Sequence, residues 1–246
     1  MSDSYAELSA HYDLIMTSGY YDYDAYARAL ITLIGDRREL LELGVGTGLV
    51  CAKLLGLKAS GLTITGIDHT ESMLAQARRR LGERVRLVAG DIREPVLTAP
   101  FQVAYSVGGI WYCIHDEQND AIMLGSHLVT EEDNATALAH LHDALTPDGI
   151  LALAVQAAHH AYERPLPGGL VYAQEVRQVD VGVFVKDYYV KRGGAEGRAG
   201  SGEIVAHMSC PYRVFPAGRA ERLLTQCGFR SDGPTGDGLF RQFTRQ

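Results

Sequence analysis

LELGVGTG, at residues 41–48, reads as the end of a β-strand that turns through three glycines into a helix. The run Arg38–Leu43 precedes the glycines, and apolar residues at helical spacing follow them. Glycine has no Cβ, so a ligand can approach the backbone N–H groups at the N-terminus of the helix. We predict a ligand-binding loop formed by Gly44, Gly46 and Gly48. The alternative is a turn whose glycines serve only the packing of the strand on the helix.

Strand-like and helix-like segments alternate after this unit, which is typical of a parallel sheet with helices on both faces. The further strands are predicted at Leu62–Ile67, Val85–Ala89, Phe101–Val107 and Ile150–Val155. The helices between them are predicted at Glu71–Leu81 and from Thr130 to Leu145, with a later one at Ala217–Gln226. A hairpin from Phe229 to Thr244 completes the sheet. The sequence therefore predicts an α/β, Rossmann-like fold with seven, mostly parallel strands.

Two segments depart from this alternation. Residues 3–35 read as two tyrosine-rich helices, which we assign to an N-terminal helical lid at residues 1–36. Residues 170–214 contain three longer strands without intervening helices, joined by turns that include a Gly-rich tip at Gly193–Gly202. We expect this three-stranded antiparallel insert after the fifth strand to cover the substrate site. The cofactor-binding core then comprises residues 37–169 and 215–246.

Composition excludes several classes of partner. Of the 246 residues, 46% are hydrophobic and 22% are charged, as in ordinary soluble globular proteins. The net charge of −7 disfavours contact with phosphate backbones and anionic lipids, so we expect neither nucleic acid nor a membrane as partner. The four cysteines lack zinc spacing, and the first residues do not read as a targeting peptide. We therefore predict no metal and a cytoplasmic location.

Two acidic residues follow successive predicted strands. Asp68 ends the second strand, 20 residues after Gly48, where a carboxylate reaches the hydroxyls of a ribose in dinucleotide folds. Its structural alternative is a cap for the helix that starts near Thr70. Asp91 closes the third strand, where it can accept a hydrogen bond from an adenine amine while Ile92 lies on the ring face. The sequence thus predicts an adenosine site at this edge of the sheet.

The glycine loop followed by these two acids resembles the class I S-adenosylmethionine-dependent methyltransferases. The resemblance implies S-adenosylmethionine as cofactor, with Glu42 and the glycine loop at its methionine end, Asp68 at the ribose, and Asp91 with Ile92 at the adenine. Further cofactor-binding residues assigned with it are Tyr12, Tyr21, His69, Met73 and Ser106. NAD enzymes fit less well, because Leu49 stands where their loop has a third glycine and Glu42 would repel a pyrophosphate.

The ends of the chain resemble the bacterial amino-sugar N-methyltransferases of antibiotic biosynthesis. HYDLI at residues 11–15 is similar to their opening helix, and GPTGDGLF at residues 233–240 to their final turn and strand. The chain departs from that family at two catalytic positions, with Met16 in place of a tyrosine and Gly109 in place of a histidine. Residues 110–129 are additional relative to the family. We therefore expect a rebuilt pocket above the transferred methyl group.

The segment after the fourth predicted strand carries the candidate chemistry. Trp111, the only tryptophan, is predicted to form a platform for the acceptor. His115 is predicted as a general base, because histidine is the residue type suited to that role near neutral pH, and Tyr12 as a second catalytic residue. The alternative is a surface loop in which Trp111 packs on the fold and His115 is exposed.

Three more residues, Tyr20, Tyr112 and Arg213, are assigned to acceptor binding. The two tyrosines would shape the pocket, and Arg213 of the insert would meet an anionic substrate. A cross-strand pair of Arg213 with Glu175 or Asp187 is the structural alternative.

These observations predict a methyltransferase acting on an N or O nucleophile of a small secondary-metabolite acceptor, as a monomer or a homodimer. A second hypothesis keeps the cofactor but transfers or cyclises its 3-amino-3-carboxypropyl arm. A third hypothesis is a cofactor-binding protein without catalysis.

Overall fold

The computed structural model describes residues 8–57, 61–98, 100–116, 121–192 and 202–246. Residues 1–7 of the predicted lid and 193–201 of the predicted Gly-rich tip lie outside the described residues. The described ranges contain six α-helices and one thirteen-stranded sheet. None of these helices combines the length and the hydropathy that a bilayer crossing requires.

The helices and strands follow one another along the whole chain. The helices are α1 Ser9–Ile15, α2 Tyr23–Ile34, α3 Leu49–Leu57, α4 Glu71–Leu81, α5 Glu131–Ala144 and α6 Ala217–Gln226. The strands of the first half are β1 Glu39–Leu43, β2 Thr63–Asp68, β3 Val85–Ala89, β4 Phe101–Ser106, β5 Trp111–Asp116 and β6 Ala121–Ser126. Those of the second half are β7 Leu145–Gln156, β8 Tyr162–Leu166, β9 Leu170–Asp180, β10 Val183–Arg192, β11 Ile204–Phe215, β12 Phe229–Pro234 and β13 Phe240–Arg245.

One part of the sheet is the predicted Rossmann-like core. Strands β3, β2, β1, β4 and β7 lie side by side in this order and are parallel, and the hairpin of β13 and β12 continues antiparallel from β7. Strand β1 is apolar on both faces because a separate cluster of buried side chains covers each face. Leu40 packs with residues of α2, α3 and α4, whereas Leu41 and Leu43 pack with residues of α5 and α6. The α/β fold with helices on both faces is therefore confirmed.

The predicted count of seven strands is not confirmed, because the sheet continues beyond β7. Strand β5 pairs in parallel with the end of β7, and β6, β11, β10, β9 and β8 follow antiparallel. The segment 110–129, for which no strand was predicted, thus contributes β5 and β6. Their strand pattern is hidden because Trp111–Ile114 are four consecutive buried residues, without the alternation of a half-exposed strand.

The three strands of the predicted insert are β9, β10 and β11, and they continue the same sheet. Strand β11 pairs with β6 at Arg213–Phe215, across the boundary expected at residue 214. The division into lid, core and insert stays a prediction.

Helix α1 is held against the glycine loop by Asp13. One oxygen of this carboxylate accepts a hydrogen bond from the Thr47 hydroxyl at 2.6 Å. The other forms an ion pair with Arg80 of α4, whose guanidinium also donates to the Thr47 carbonyl. Gln76 of α4 donates to the carbonyl of Ser9 at 2.7 Å. These contacts place α1 across the carboxyl ends of the parallel strands.

Candidate functional site

A cavity of about 430 Å³ opens at the carboxyl ends of the parallel strands. This is the edge at which α/β folds bind ligands, and the volume lies within the usual range for small-molecule sites. Its wall combines α1 with the segments that follow β1, β2, β3, β4 and β6, together with part of β11. Residues of the wall include Tyr12, Gly44, Gly46, Asp68, His69, Met73, Asp91, Ile92, Gly108, His127 and Cys210.

The three glycines of the loop have different roles. All three adopt positive φ, namely 70° at Gly44, 54° at Gly46 and 79° at Gly48. A Cβ on Gly44 would lie 2.8 Å from the Cα of Gly109, so this glycine permits two loops to meet. Gly48 is not part of the cavity wall, since a Cβ there would lie 2.6 Å from Cδ1 of Leu81. The assignment of Gly48 to ligand binding is therefore corrected to the packing of α3 on α4.

Asp68 joins the glycine loop to the start of α4. Its Oδ2 accepts a hydrogen bond from the backbone N–H of Gly46 at 2.8 Å, and its Oδ1 accepts from the N–H of Thr70 at 2.9 Å. The helix-cap alternative is thus correct. The same carboxylate lines the cavity, as do His69 and Met73, so it has a further hydrogen-bonding capacity toward a ligand.

Asp91 lines the cavity in an ion pair with Arg93. The guanidinium of Arg93 contacts both carboxylate oxygens and also reaches Asp133 of α5 at 3.3 Å. These hydrogen bonds hold the pKa of Asp91 below its usual range. An adenine amine at this position would share Asp91 with Arg93, while Ile92 supplies an apolar wall. Arg93 was not predicted as a site residue, because an arginine two residues after an acid is typical of a local ion pair.

Glu42 and Ser106 lie behind the cavity wall. The Glu42 carboxylate accepts hydrogen bonds from Cys51 Sγ at 2.7 Å and from the Tyr105 hydroxyl at 3.0 Å. Burial raises the pKa of Glu42 to about 7. Ser106 is fully buried at the end of β4. Neither side chain lines the cavity, so their predicted direct contact with a cofactor is corrected.

Two of the predicted tyrosines approach the cavity from the N-terminal helices. Tyr12 is part of its wall, and its pKa is raised, chiefly by burial. Tyr21 lies against Gly108 and donates a hydrogen bond from its hydroxyl to Oε1 of Gln156 at 3.1 Å. Tyr21 does not line this cavity but a smaller space beside it.

The predicted acceptor platform and base do not reach the cavity. Trp111 is fully buried between β5 and α5, where its Nε1 donates to Oδ1 of Asn134 at 2.7 Å. His115 lies four residues further along β5, opposite Ile122, roughly 13 Å from Trp111 at the usual rise per residue. Its side chain is exposed. The structure therefore contradicts the assignments of Trp111 to acceptor binding and of His115 to catalysis. The alternative is correct in that Trp111 packs in the core and His115 is exposed, but both residues lie on a strand and not on a surface loop.

Arg213 does not line the cavity either. Its Nε donates to the carbonyl of Val129, and its guanidinium lies over the ring of Phe215 at 5.7 Å. It opposes Val183 of β10 in the sheet, so neither predicted cross-strand partner faces it. The assignment of Arg213 to an anionic substrate is corrected, because this side chain joins the β11 strand to the loop after β6.

Residues 41–151 match the methyltransferase domain family. This segment includes the glycine loop, both acids and the segments that follow β3, β4 and β6, and thus most of the cavity wall. The predicted resemblance to the methyltransferases is thus confirmed over this segment.

Two curated proteins are similar to part of the chain. An uncharacterized methyltransferase from Geobacillus sp. (strain WCH70) is 30% identical over 133 residues, which make up 54% of this chain and 60% of that protein. The trans-aconitate 2-methyltransferase of Delftia acidovorans is 28% identical over 179 residues, or 68% of this chain and 59% of that protein. The chain thus spans about three-fifths of the length of these curated relatives.

A solved structure extends the likeness to nearly the whole chain. It is the S-adenosylmethionine-bound CalS10, an amino pentose methyltransferase from Micromonospora echinaspora involved in calicheamicin biosynthesis. The TM-score is 0.68 at 18% identity, and the match covers 96% of both chains. At this identity the likeness shows the fold. The predicted cofactor is the compound bound in that structure.

Beside the main cavity, the N-terminal helices, strands β5 and β10 and the segment after β7 enclose a cluster of side chains that was not predicted from the sequence. Lys186 of β10 is buried, and its Nζ lies 3.2 Å from the Tyr20 hydroxyl and 3.2 Å from Nε2 of His159. The Tyr112 hydroxyl lies 3.1 Å from Nε2 of His159. Tyr20 and Tyr112, both predicted to bind the acceptor, are thus brought together here.

A signal for this cluster was present in the strand pattern. Alternate residues of a strand share one face, so Lys186 falls on the same face as Tyr188 and Val190, which are buried. A lysine on an apolar strand face is unusual enough to mark a candidate functional residue.

Proposed function

We propose that the protein is an S-adenosylmethionine-dependent methyltransferase acting on an N or O nucleophile of a small-molecule acceptor. One observation carries the proposal. Asp68 accepts a hydrogen bond from the backbone N–H of Gly46 in the glycine loop, and it also lines a cavity of about 430 Å³ together with Asp91 and Ile92. The cofactor supplies a methyl group on a positively charged sulfur. Two carboxylates facing the cavity suit a cationic ligand that carries a ribose and an adenine.

The residues present fit this cofactor. Asp68 has the position to accept hydrogen bonds from ribose hydroxyls, and Asp91 to accept one from the adenine amine against Ile92. The positive φ of Gly44 and Gly46 leaves the loop backbone free of Cβ atoms where the methionine end would lie. Tyr12 covers the cavity from α1.

The chain's own contribution to methyl transfer is positioning and exclusion of water. Substitution at the methyl carbon needs the nucleophile in line with the breaking bond, at about 3 Å. Helix α1, held by Asp13 between Thr47 and Arg80, covers the cavity and keeps water away from the reacting groups.

Several observations support a small acceptor. The pocket of about 360 Å³ lined by Tyr20, Tyr21 and His159 has the size of a small-molecule site. Trans-aconitate and amino pentoses, the compounds named for the similar proteins, are small molecules. The similarity to the amino pentose methyltransferase CalS10 supports a role of this protein in antibiotic biosynthesis. The absence of nucleic-acid and membrane partners, the cytoplasmic location and the homodimer stay predictions.

The test begins with calorimetric titration of S-adenosylmethionine into the purified protein and into two variants. We expect binding by the wild type, and at least tenfold weaker binding by Asp68→Ala and Asp91→Asn, because each removes an acceptor facing the cavity. Asp36→Asn is the matched control, since Asp36 is fully exposed away from the cavity. Equal binding by all four proteins would contradict the proposed site.

The second step identifies the group that is transferred. The protein is incubated with labelled cofactor and a bacterial metabolite extract, and both product halves are analysed by mass spectrometry. Methyl transfer leaves S-adenosylhomocysteine, whereas attack on the 3-amino-3-carboxypropyl arm leaves methylthioadenosine. Release of methylthioadenosine with no S-adenosylhomocysteine would replace the proposal by the arm-transfer hypothesis.

A further inference from the structure

Lys186 is a buried cation whose partners are all neutral. Its side chain contacts the Tyr20 hydroxyl, Nε2 of His159 and the face of the Tyr188 ring, 4.7 Å from the ring centroid. Among the described residues, no carboxylate forms an ion pair with it. A buried charge without a counter-ion is unfavourable, so a group of this kind is retained where a ligand supplies the opposite charge.

The neighbouring acid is turned away from this cluster. Asp187 follows Lys186 on β10 and therefore projects to the other face of the strand. There it accepts hydrogen bonds from Ser209 and His207 and pairs with Arg177. It is not available to neutralise Lys186.

The hydrogen-bonding roles of the groups around Lys186 follow from its charge. An ammonium can only donate, so Nε2 of His159 accepts from Lys186 and from the Tyr112 hydroxyl, and the ring proton is on Nδ1. Burial, with the charge of Lys186, holds the pKa of His159 far below its usual range, so the imidazole is neutral. The Tyr112 proton is thus committed to His159, and the group of the cluster that can donate a hydrogen bond to a ligand is the ammonium of Lys186.

The cluster lies next to the main cavity, on the side away from Asp91. Its enclosed space shares Tyr12, Gly108 and His127 with the cavity wall. In the sheet, Asp91 follows β3 and Gly108 follows β4, three strands away, which corresponds to roughly 14 Å at the usual strand spacing. An adenosine held at Asp68 and Asp91 therefore leaves the region near Lys186 to the acceptor.

A surface pocket of about 360 Å³ lies on the opposite side of the cluster. It shares Tyr20, Tyr21, Gln156 and His159 with the enclosed space. The enclosed space itself has a volume of about 20 Å³, enough for about one water molecule. The cluster thus lies between this solvent-facing pocket and the cofactor cavity, and we expect the acceptor to enter from the pocket and to displace side chains that line the enclosed space.

We propose that Lys186 binds an anionic oxygen of the acceptor, so that the acceptor is an acid, either a carboxylate or an ionised hydroxyl, and the transfer is an O-methylation. This inference rests on the proposed function and names the class of its substrate. An oxygen lone pair of the acceptor forms the new bond to the methyl carbon while the carbon–sulfur bond breaks and its electron pair stays on sulfur. An anion and a sulfonium cation become two neutral groups, and no proton has to be removed.

The same charge argues against an amine acceptor. A protonated amine is repelled by the Lys186 ammonium in an environment of low dielectric. Burial lowers the pKa of Lys186 to about 8, so the side chain is mostly charged near pH 7, and a bound anion would hold it charged. The O-methylation class therefore follows from a residue outside the matched domain segment.

A binding experiment tests the charge preference with two matched probes, benzoate and benzylamine, in the presence of S-adenosylhomocysteine. We expect benzoate to bind the wild type, benzylamine to bind at least tenfold more weakly, and Lys186→Met to weaken benzoate binding about 30-fold or more. Lys191→Met is the control, because Lys191 lies on the same strand but is paired with Glu163 at 2.8 Å. Equal binding of benzoate to both variants, or preference for benzylamine, would overturn the proposal.

An activity experiment tests the same inference with the natural acceptor. Metabolites of a bacterial extract are separated by charge, and each fraction is incubated with methyl-labelled cofactor. We expect label in products of the acidic fraction, lost about 30-fold or more in Lys186→Met and retained in Lys191→Met. Mild alkali then releases label from methyl esters but not from ethers, which distinguishes a carboxylate from a hydroxyl acceptor. Label only in products of the basic fraction would overturn the proposal.

The two proposals fail in different ways. If the protein does not bind S-adenosylmethionine, the proposed function is wrong. If it binds the cofactor and methylates amines, with Lys186→Met as active as the wild type, only the acceptor class is wrong. The unfolding free energy of Lys186→Met serves as a check on folding, and we expect it to be at least that of the wild type, because an unpaired buried charge is replaced by an apolar side chain.

Discussion

The carboxylate of Asp68 accepts a hydrogen bond from the backbone N–H of Gly46 at 2.8 Å. This bond joins the end of β2 to the loop after β1, so the acid and the loop are held in one arrangement before any ligand arrives. The second oxygen of Asp68 caps α4 through the N–H of Thr70. One side chain thus contributes to folding and to the site, and its two contributions can be separated by measurement.

Asp68→Ala is expected to lower the free energy of unfolding by about 1–3 kcal/mol, because two backbone N–H groups lose a charged acceptor. Asp68→Asn retains one oxygen and is expected to lose less stability. Both variants are expected to lose cofactor affinity. Chemical denaturation and calorimetry on the same samples measure the two effects, and a stable Asp68→Ala protein with wild-type affinity would contradict both roles.

Two glycines of the loop are expected to respond differently to alanine. In Gly48→Ala the added Cβ meets Leu81 at 2.6 Å and the φ of 79° is unfavourable, so we expect a loss of about 1–3 kcal/mol in unfolding free energy. In Gly46→Ala the nearest atom is Cε of the flexible Met73, at 3.6 Å. The stability loss is therefore expected to be smaller and the loss of cofactor binding larger. The reverse order would contradict the separation of packing from binding.

Glu42 is expected to make stability depend on pH. Burial raises the pKa of Glu42 to about 7, from an ordinary value near 4.5, so the folded state holds a proton that the unfolded state has released. Its contribution is fully present below about pH 4.5 and is lost as the pH rises through 7, with a magnitude of the order of 3 kcal/mol. Glu42→Gln should therefore gain stability relative to the wild type between pH 5 and pH 8. Parallel denaturation curves at these two pH values measure the change, and a constant difference would refute it.

Substitutions of Trp111 and His115 are expected to have different effects on stability, and neither is expected to affect the site. Trp111→Phe removes the donor to Asn134 in the core, so we expect a loss of about 1–3 kcal/mol in stability, with no selective change in acceptor affinity. His115→Ala is expected to change stability by less than about 0.5 kcal/mol and to leave methyl transfer intact. A large loss of turnover in folded His115→Ala protein would restore it as a catalytic candidate.

Arg80 is expected to control cofactor affinity through α1. Arg80→Ala removes the ion pair with Asp13 and the bond to the Thr47 carbonyl, which weakens the attachment of α1 to the loop while the hydrogen bond from Thr47 to Asp13 remains. For a partly exposed pair we expect a cost of roughly 1 kcal/mol, or about fivefold weaker cofactor binding. Arg79→Ala, an exposed position on the same helix, is the control. Equal affinities of the two variants in calorimetry would show that α1 does not cover the bound cofactor.

Much of the candidate site could be predicted because short sequence motifs fix the positions of its residues. A strand, a glycine loop and a helix are adjacent in sequence, and an acid at the end of each following parallel strand must come to the same edge of the sheet. That geometry brings Gly44, Asp68 and Asp91 together without any knowledge of packing. The roles of Glu42 and Ser106 were misjudged for the opposite reason, since nearness to these motifs in sequence does not tell which face of a strand a side chain takes.

The chain alone therefore determined the class of fold and the edge of the sheet at which the candidate cofactor site lies, because parallel strands present their carboxyl ends at one edge. Only the tertiary structure showed that Trp111–Asp116 and Ala121–Ser126 are strands and that Trp111 is part of the core. It also showed that His159 contacts both Lys186 and Tyr112. These three residues come from β10, the segment after β7, and β5, and neither spacing nor composition relates them. Their meeting depends on sheet order and register, which arise from the packing of strands far apart in the sequence.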